Sequence, residues 1–449
     1  MITYQDLMKA SETTGSKMLL ISNAINEHKA TAAYKTALKA DMYYAHLNPT
    51  IMHYEKIIHD MLGRAVRDTV SANHKIASRY YFFFITQLVQ YLLSNGATFE
   101  DDSIKDRIKN FDEALSKLAT NAQNHGVSYG FFNLDKIEVF ALTEFVPFYD
   151  EENGFIRAGV RFWQIADNKP LRVTLYEEDG FTEYIKRQGE DFVELQAKRA
   201  YKQKISVSVT GTEISGGENY PSFPVVPLYN INKQSELVGN QGTIDAYDLC
   251  VSKMTNNISE GDLIYWLIHN ADGMTVDDDQ RLMEMLHVQH LAHVDEGQIE
   301  AKTIEIPHEA TDAALERLRK QLFDDFMAFD ATAVAGGNVT ATQITAAYQQ
   351  LDNKADMFEY QIIEFVKNIL AVAGMDGTPS FKRNRIANST EETQMVLSAA
   401  NILDEQTVLE HLPFISVDEV PVILERLQAE EMNRVDNIDD NSDLNGDDE

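Results

Sequence analysis

The chain has one cysteine, Cys250, in 449 residues. That excludes an intrachain disulfide framework and suits a reducing compartment. Basic residues are also scarce: 39 Lys and Arg stand against 71 Asp and Glu, a net charge of −32. A protein that grips nucleic acid carries a basic footprint, and this one carries the reverse. It either leaves nucleic acid alone or surrounds it without holding it. No stretch approaches the roughly 18 apolar residues of a membrane span. The opening Met1-Ile-Thr-Tyr-Gln-Asp-Leu-Met8 lacks a basic segment followed by an apolar one, so no signal peptide and no membrane contact are expected. No repeat of fixed period appears.

The familiar catalytic motifs are missing as well. There is no G-x-x-x-x-G-K-[ST] phosphate loop, no G-x-S-x-G elbow and no H-E-x-x-H helix. No cofactor is expected. His287, His290 and His293 form an H-x-x-H-x-x-H run with Asp295 and Glu296 beside it. On a helix two neighbouring histidines of that run could share a metal, which would make the chain a metal-dependent hydrolase. The competing reading is a set of surface histidines that touch a partner. Asn441, Asp443, Asn445 and Gly446 match the first half of an EF-hand loop, but the chain ends before the bidentate Glu that such a loop needs.

What is present is enough apolar material for a real core: 44% hydrophobic and 10% aromatic residues. The charge is uneven. Residues 1–238 are nearly balanced at −4, residues 239–330 hold 6 basic and 19 acidic side chains, and residues 331–449 hold 7 and 22. The plain meaning of such an excess is a solvated surface.

The period of the apolar residues divides the chain. Helical spacing runs through residues 7–25, 30–45, 73–93 and 104–125, with Gly96 and Gly126 as stops. Residues 127–210 change to short β-prone runs parted by Asn-Gly and Asp-Gly turns, which predicts an antiparallel meander. Residues 210–222 read as loop. Phe223-Pro-Val-Val-Pro-Leu-Tyr-Asn230 reads as an edge strand pinned by Pro224 and Pro227. Then comes the organising stretch. A helix is predicted over 243–270, carried by Ile244, Tyr247, Val251, Met254, Ile258, Tyr265 and Ile268. An insert follows, then a helix over 311–329 with Leu315, Leu318, Leu322, Phe326 and Phe329. A small, Gly-containing break over 330–339 precedes a long helix over 340–374. Residues 380–386 could return to the sheet. Three short helices follow, with Asp404 a plausible cap, and residues 436–449 form an acidic tail expected to be disordered. Two basic clusters, one at Lys198, Arg199, Lys202 and Lys204 and one at Lys382, Arg383 and Arg385, are expected to pair with neighbouring carboxylates or face solvent.

This order of parts resembles a known family, the portal (head-to-tail connector) proteins of tailed bacteriophages of Gram-positive hosts. The resemblance is carried by the segment from Asn73 to Gly96, by Ala122-Gln-Asn-His-Gly-Val-Ser-Tyr-Gly130, by Phe145-Val-Pro-Phe-Tyr-Asp150 and by Ala158-Gly-Val-Arg-Phe-Trp163. It continues in the strand 223–230 with Asp245-Ala-Tyr-Asp248 and Ser252, and in Gly336-Gly-Asn-Val-Thr-Ala-Thr342. Thr340 and Thr342 stand where Ser-Gly is commoner in the family.

The resemblance implies an α+β portal fold: a helical and β wing, a two-helix stem, a small α/β clip, a long kinked wing helix and a helical crown. Residues 1–242 with 375–389 would be the wing, 243–270 and 309–329 the stem, 271–308 the clip, 340–374 the long wing helix and 390–435 the crown. The implied assembly is a homo-oligomeric, dodecameric ring at one capsid vertex, through which double-stranded DNA passes during packaging and ejection. Its partners would be terminase, head-completion or adaptor proteins, and the major capsid and scaffolding proteins. It would act in the virion after assembly in the host cytoplasm, without catalysis. The loop Asp330, Ala331, Thr332, Ala333, Val334, Ala335, Gly336, Gly337, Asn338 and Val339 would project toward the DNA. His287, His290, His293, Asp295 and Glu296 would lie on the docking clip. The acidic excess then acquires a use. Asp245, Asp248, Glu260, Asp262, Glu316, Asp324 and Asp325 would form a tunnel wall that repels phosphate at short range, screened beyond about 10 Å. A different virion ring or adaptor protein is the alternative, and it should lack the helix–insert–helix–loop–helix order.

Overall fold

The computed structural model describes residues 2–10, 14–59, 64–68, 72–101, 103–208, 211–261, 265–269, 298–302, 308–334, 340–385, 389–412, 414–415 and 419–429. The chain forms two compact units, one of residues 1–328 and 355–382, the other of residues 329–354 and 383–449.

The first unit is built on two antiparallel sheets. Five strands, Phe145–Tyr149, Ile156–Trp163, Leu171–Glu177, Gly180–Lys186 and Phe192–Arg199, lie side by side in chain order. The meander expected over 127–210 is narrower than that, because 127–141 forms a sheet with 225–229 and 202–208 pairs with 211–218, and Pro147 sits on its edge strand, where a missing N–H does no harm. Alternate residues Val146, Phe148, Ala158, Val160, Phe162, Val173, Leu175 and Tyr184 form one face. The N-terminal helices cover that face with Leu7, Ile21, Ala24 and Ile25. The second sheet has the order Val225–Tyr229, Val127–Asn133, Lys136–Ala141. Pro227 is on its edge strand, as the sequence indicates. Helix Phe111–His125 leads into it through Gly126, whose φ of +91° is the left-handed stop. Gly130 is required by packing: a Cβ there would lie 2.7 Å from the ring of Phe365.

Several boundaries differ from expectation, each for a local reason. Residues 104–125 do not form one helix, because Asn110 turns its amide to strand residue Ile137. It donates to the Ile137 carbonyl at 2.9 Å and accepts from the Ile137 N–H at 2.9 Å. Residues 211–218, read as loop, form a strand antiparallel to Lys202–Ser208. Ser380–Phe381 returns to pair with Ala97–Thr98. The basic cluster near Tyr201 is spent on local partners: Arg199 meets Glu183 at 2.8 Å, and Lys202 lies over the Tyr220 ring.

In the second unit, Phe329 stacks on Tyr348 with ring centroids 4.0 Å apart. The long helix, Ala341–Ala373, contributes its first turns here and its later turns to the first unit. It starts with a capping box: the Gln343 N–H donates to Thr340 Oγ1 and the Thr340 N–H donates back to Gln343 Oε1. Asp352 collects Arg383 at 3.0 Å and Arg385 at 2.6 Å, so this basic cluster is paired as expected. Helices Ser389–Ala399 and Glu405–His411 follow, the second capped by Asp404.

Candidate functional site

The stretch that the sequence marks out begins with an outgoing helix, Gln241–Gly261, and ends with a return helix, His308–Asp325, which pack against each other. The outgoing helix is shorter than predicted. Its 21 residues span about 31 Å at the helical rise, against about 42 Å for 28 residues. It stops at Gly261, and Tyr265–His269 is a strand antiparallel to Gln298–Lys302. The run Tyr-Trp-Leu-Ile is aromatic and branched, and it follows a glycine that weakens the helix. Tyr265 and Ile268 therefore belong to a hairpin and not to the helical stripe. His287, His290, His293, Asp295 and Glu296 lie outside the described residues.

Aromatic packing anchors the inner ends of the helix pair. Ile244 of the outgoing helix and Leu322, Phe323 and Phe326 at the end of the return helix are buried with Tyr43, Tyr81, Phe84 and Ile85. Phe326 stacks on Phe84 at 4.5 Å and meets Tyr81 edge-on at 6.2 Å. The return helix ends in a Schellman pair: Met327 N–H to Asp324 O at 3.1 Å and Ala328 N–H to Phe323 O at 2.9 Å. Met327, at φ +51°, occupies the left-handed position usually given to glycine.

A polar network fixes the outgoing helix from its other side, and Asn48 is its hub. The Asn48 Oδ1 caps the short helix Pro49–Met52, accepting from Thr50 and Ile51 N–H. Its Nδ2 donates to Asp245 Oδ1 at 2.9 Å and to Asp248 Oδ2 at 2.8 Å. Tyr43 adds a hydroxyl to Asp245 Oδ1 at 2.6 Å. Residues 73–79, predicted as the start of a helix, instead run extended along the outgoing helix, and helix Tyr80–Leu93 begins only afterwards. The backbone N–H groups of Ser78, Ile76 and His74 donate in turn to Asp248 Oδ1 (3.0 Å), Ser252 Oγ (3.0 Å) and Asn256 Oδ1 (2.6 Å). Two residues of extended chain rise about 6.6 Å and four of helix about 6 Å, so the two periods match over three rungs. This helix–strand ladder satisfies the His74 and Ile76 N–H groups, which a helix starting at 73 would have left without an internal acceptor, and takes the Ser78 N–H from such a helix.

The network corrects one part of the predicted acidic wall. Asp248 is 1% exposed, so it cannot face a channel. Burial raises its carboxyl above the ordinary range, Asp245 adds to that, and the Ser78 and Asn48 hydrogen bonds oppose it. Asp245 is half-buried and engaged by Tyr43, Asn48 and Gln241. Asp325 is exposed and accepts from Thr243 Oγ1 at 2.9 Å, tying the two helices together. Glu316 and Asp324 are exposed on the return helix. Glu260 lies in the last turn of the outgoing helix, with its side chain outside the described set, as is the whole of Asp262. Of the loop residues, Asp330 forms an Asx turn with Thr332, and Ala331–Val334 make a 3-10 turn in which Ala331 and Thr332 are exposed. Ala335, Gly336, Gly337, Asn338 and Val339 lie outside the described residues.

Sequence reasoning missed Asn48, Ser252 and Asn256 as structural ligands of this site. A signal was available: Asp248, Ser252 and Asn256 repeat every four residues, a polar stripe on a helix whose other face is apolar.

Among the described residues no helix is long and apolar enough to cross a membrane, and no group of three or more His, Cys, Asp or Glu is arranged to hold a metal. The chain is 24% identical over 482 residues to the portal protein of Bacillus phage SPP1, a match that covers 98% of this chain and 92% of that one. It is 24% identical over 438 residues to the portal protein of Clostridium phage phiCD119, covering 88% and 92%. Among solved structures, a chain from the neck of a native GTA particle computed with C12 symmetry aligns with a TM-score of 0.40 at 11% identity, over 74% of this chain and 89% of that one. A chain from the virion of a native gene transfer agent particle aligns with a TM-score of 0.41 at 10% identity, over 73% and 88%. The sequence profile of the phage portal proteins of the SPP1 Gp6-like type matches residues 23–438, and the chain belongs to that family.

Proposed function

We propose that this chain forms a closed ring at one capsid vertex, the conduit for double-stranded DNA during packaging and ejection. In that reading the outgoing and return helices are the stem. The hairpin strands 265–269 and 298–302, with the residues between them, are the clip, where terminase docks first and head-completion or tail proteins later. Residues 330–339 are the loop that approaches the DNA. The observation that carries the reading is the family match, whose span of residues 23–438 takes in the helix pair, the hairpin and the long helix.

The charge distribution supports a conduit that conducts without holding. Residues 239–330 carry −13, and Glu316 and Asp324 are exposed on the return helix. Phosphate facing such a wall is repelled within a Debye length of about 8 Å at physiological salt. Arg317 and Lys320 are also exposed on the return helix, between Glu316 and Asp324, so the wall is acidic in net charge and carries basic side chains within it. The wall as proposed now rests on Glu316, Asp324, Asp325, Glu260 and Asp262, with Asp245 and Asp248 reassigned to anchoring. Electron microscopy of the purified full-length protein tests the reading. Rings of about twelve subunits with an axial hole are expected. A compact monomer or dimer at every concentration would contradict it.

A further inference from the structure

The helix Tyr80–Leu93, Tyr-Tyr-Phe-Phe-Phe-Ile-Thr-Gln-Leu-Val-Gln-Tyr-Leu-Leu, turns Thr86, Gln87 and Gln90 to its open side. Most of its apolar residues are buried, and the exceptions lie in its first turn. Tyr81, Phe84, Ile85 and Leu88 are buried, while Phe82 and Phe83 remain 36% and 41% exposed. These two rings head an aromatic surface. Phe82 lies 5.0 Å from the Tyr44 ring and 5.4 Å from His46, and Phe83 lies 6.0 Å from Phe323. The rim of this surface is basic. Arg79 is exposed one turn before Phe82 and Phe83 on the same helix face, and the Arg319 guanidinium lies over the Phe323 ring at 4.8 Å.

The same compact unit carries a second, different apolar face. On the long helix, Met357 is 44% and Tyr360 71% exposed. Its rim is mainly acidic: Asp356 and Glu364 are exposed one turn before and one turn after Tyr360, with Lys367 exposed one turn further on. One chain thus holds two unlike apolar faces, one rimmed by arginine and one by carboxylate. A head-to-tail contact between identical chains uses such a pair, because each copy must present one face to the copy before it and the other to the copy after it. Opposite rim charges fix register and disfavour like-to-like pairing.

We infer that the Phe82/Phe83 face of one subunit seats against the Met357/Tyr360 face of a second copy, and that this contact propagates the ring. The inference rests on the ring reading and adds to it which two surfaces meet. Arg79 and Glu364 lie across the joint from each other, and Tyr360 fills the surface beside Phe82.

The test uses the full-length chain and native mass spectrometry, with Phe82→Glu and Tyr360→Glu made separately. Each variant should remain monomeric at concentrations where the unaltered chain is in rings, a loss of at least about tenfold in assembly, with an unchanged circular dichroism spectrum. Mixed in equal amounts, the two variants should give a one-to-one heterodimer and no ring, because each keeps the face that the other has lost. A second pair guards against misfolding: Arg79→Glu should weaken assembly, and adding Glu364→Arg in the same chain should restore it. Undiminished rings from Phe82→Glu or Tyr360→Glu would overturn the contact and leave the ring standing. So would a charge swap that restores nothing. An unaltered chain that never assembles would overturn both.

Discussion

Asp248 and Asp324 carry the same carboxylate on helices that pack together, and in sequence they belong to one acidic region. Their surroundings separate them. Asp248 is buried at the inner end of the outgoing helix and accepts hydrogen bonds from Asn48 and the Ser78 backbone. Asp324 projects into solvent from the last turn of the return helix. One charge holds the helix pair to the body, and the other remains available to act on something outside it. Net charge alone does not define a wall; the donors aimed at each carboxylate decide which charges are left to form one. The separation also explains how this chain can be strongly acidic and still anchor its helix pair. The carboxylates at the root of the pair are held by hydrogen bonds from an amide, a hydroxyl and a backbone N–H.

The comparison can be broken at several points. The anchoring end should be the more sensitive. Phe326→Ala removes a ring stacked on Phe84 in the shared aromatic core, and we expect a loss of about 3–5 kcal/mol in chemical denaturation. A loss below about 1 kcal/mol would mean that the helix pair is not rooted there. Asp248→Ala leaves the Ser78 N–H and one Asn48 donor without a partner, so a loss of about 2–3 kcal/mol is expected. Hydrogen exchange should quicken along residues 74–78 in the same variant. A pH series sharpens the contrast further. Burial holds the folded-state Asp248 carboxyl above its ordinary value, which is about 3.9 in an unfolded chain. The folded state therefore binds that proton more tightly. The stabilisation from it is fully present below pH about 4 and is lost as pH rises through the raised folded value. The stability of the unaltered protein minus that of Asp248→Asn should fall as pH rises through that window. A flat or rising difference would show that the buried carboxylate is not strained. At the small end, Glu316→Gln and Asp324→Asn should each change stability by less than about 0.5 kcal/mol. A larger loss at either site would move it from the wall to the anchor.

Much of the fold was legible in the sequence because it follows from periodicity and turn chemistry. The core of the meander, the Gly126 stop, the edge position of Pro227, the pairing of Arg383 and Arg385 and the long helix all obey local rules. The larger misses share one cause, which is that a partner elsewhere in the chain overrode a local preference; the strand 211–218, by contrast, pairs with the strand just before it. Residues 73–79 carry good helix formers, but their N–H groups are taken by Asp248, Ser252 and Asn256, some 170 positions away in the chain. Tyr265 and Ile268 fall on a helical stripe by spacing, yet they pair with Lys302 and Ile299 across the hairpin. The candidate site was legible in outline, as two helices, an insert and an acidic excess. Which carboxylates point outward was not legible, since exposure depends on Asn48 and Tyr43 from another part of the chain.

The central claim is that the exposed carboxylates of the helix pair line an axial channel while the buried ones anchor it. An electron cryomicroscopy map of the assembled protein at side-chain detail tests it directly. The account predicts a ring in which Glu316 and Asp324 face the axis and Asp248 remains enclosed by Asn48 and Ser78. A ring in which Glu316 and Asp324 face outward, with the axis lined by other side chains, would contradict it.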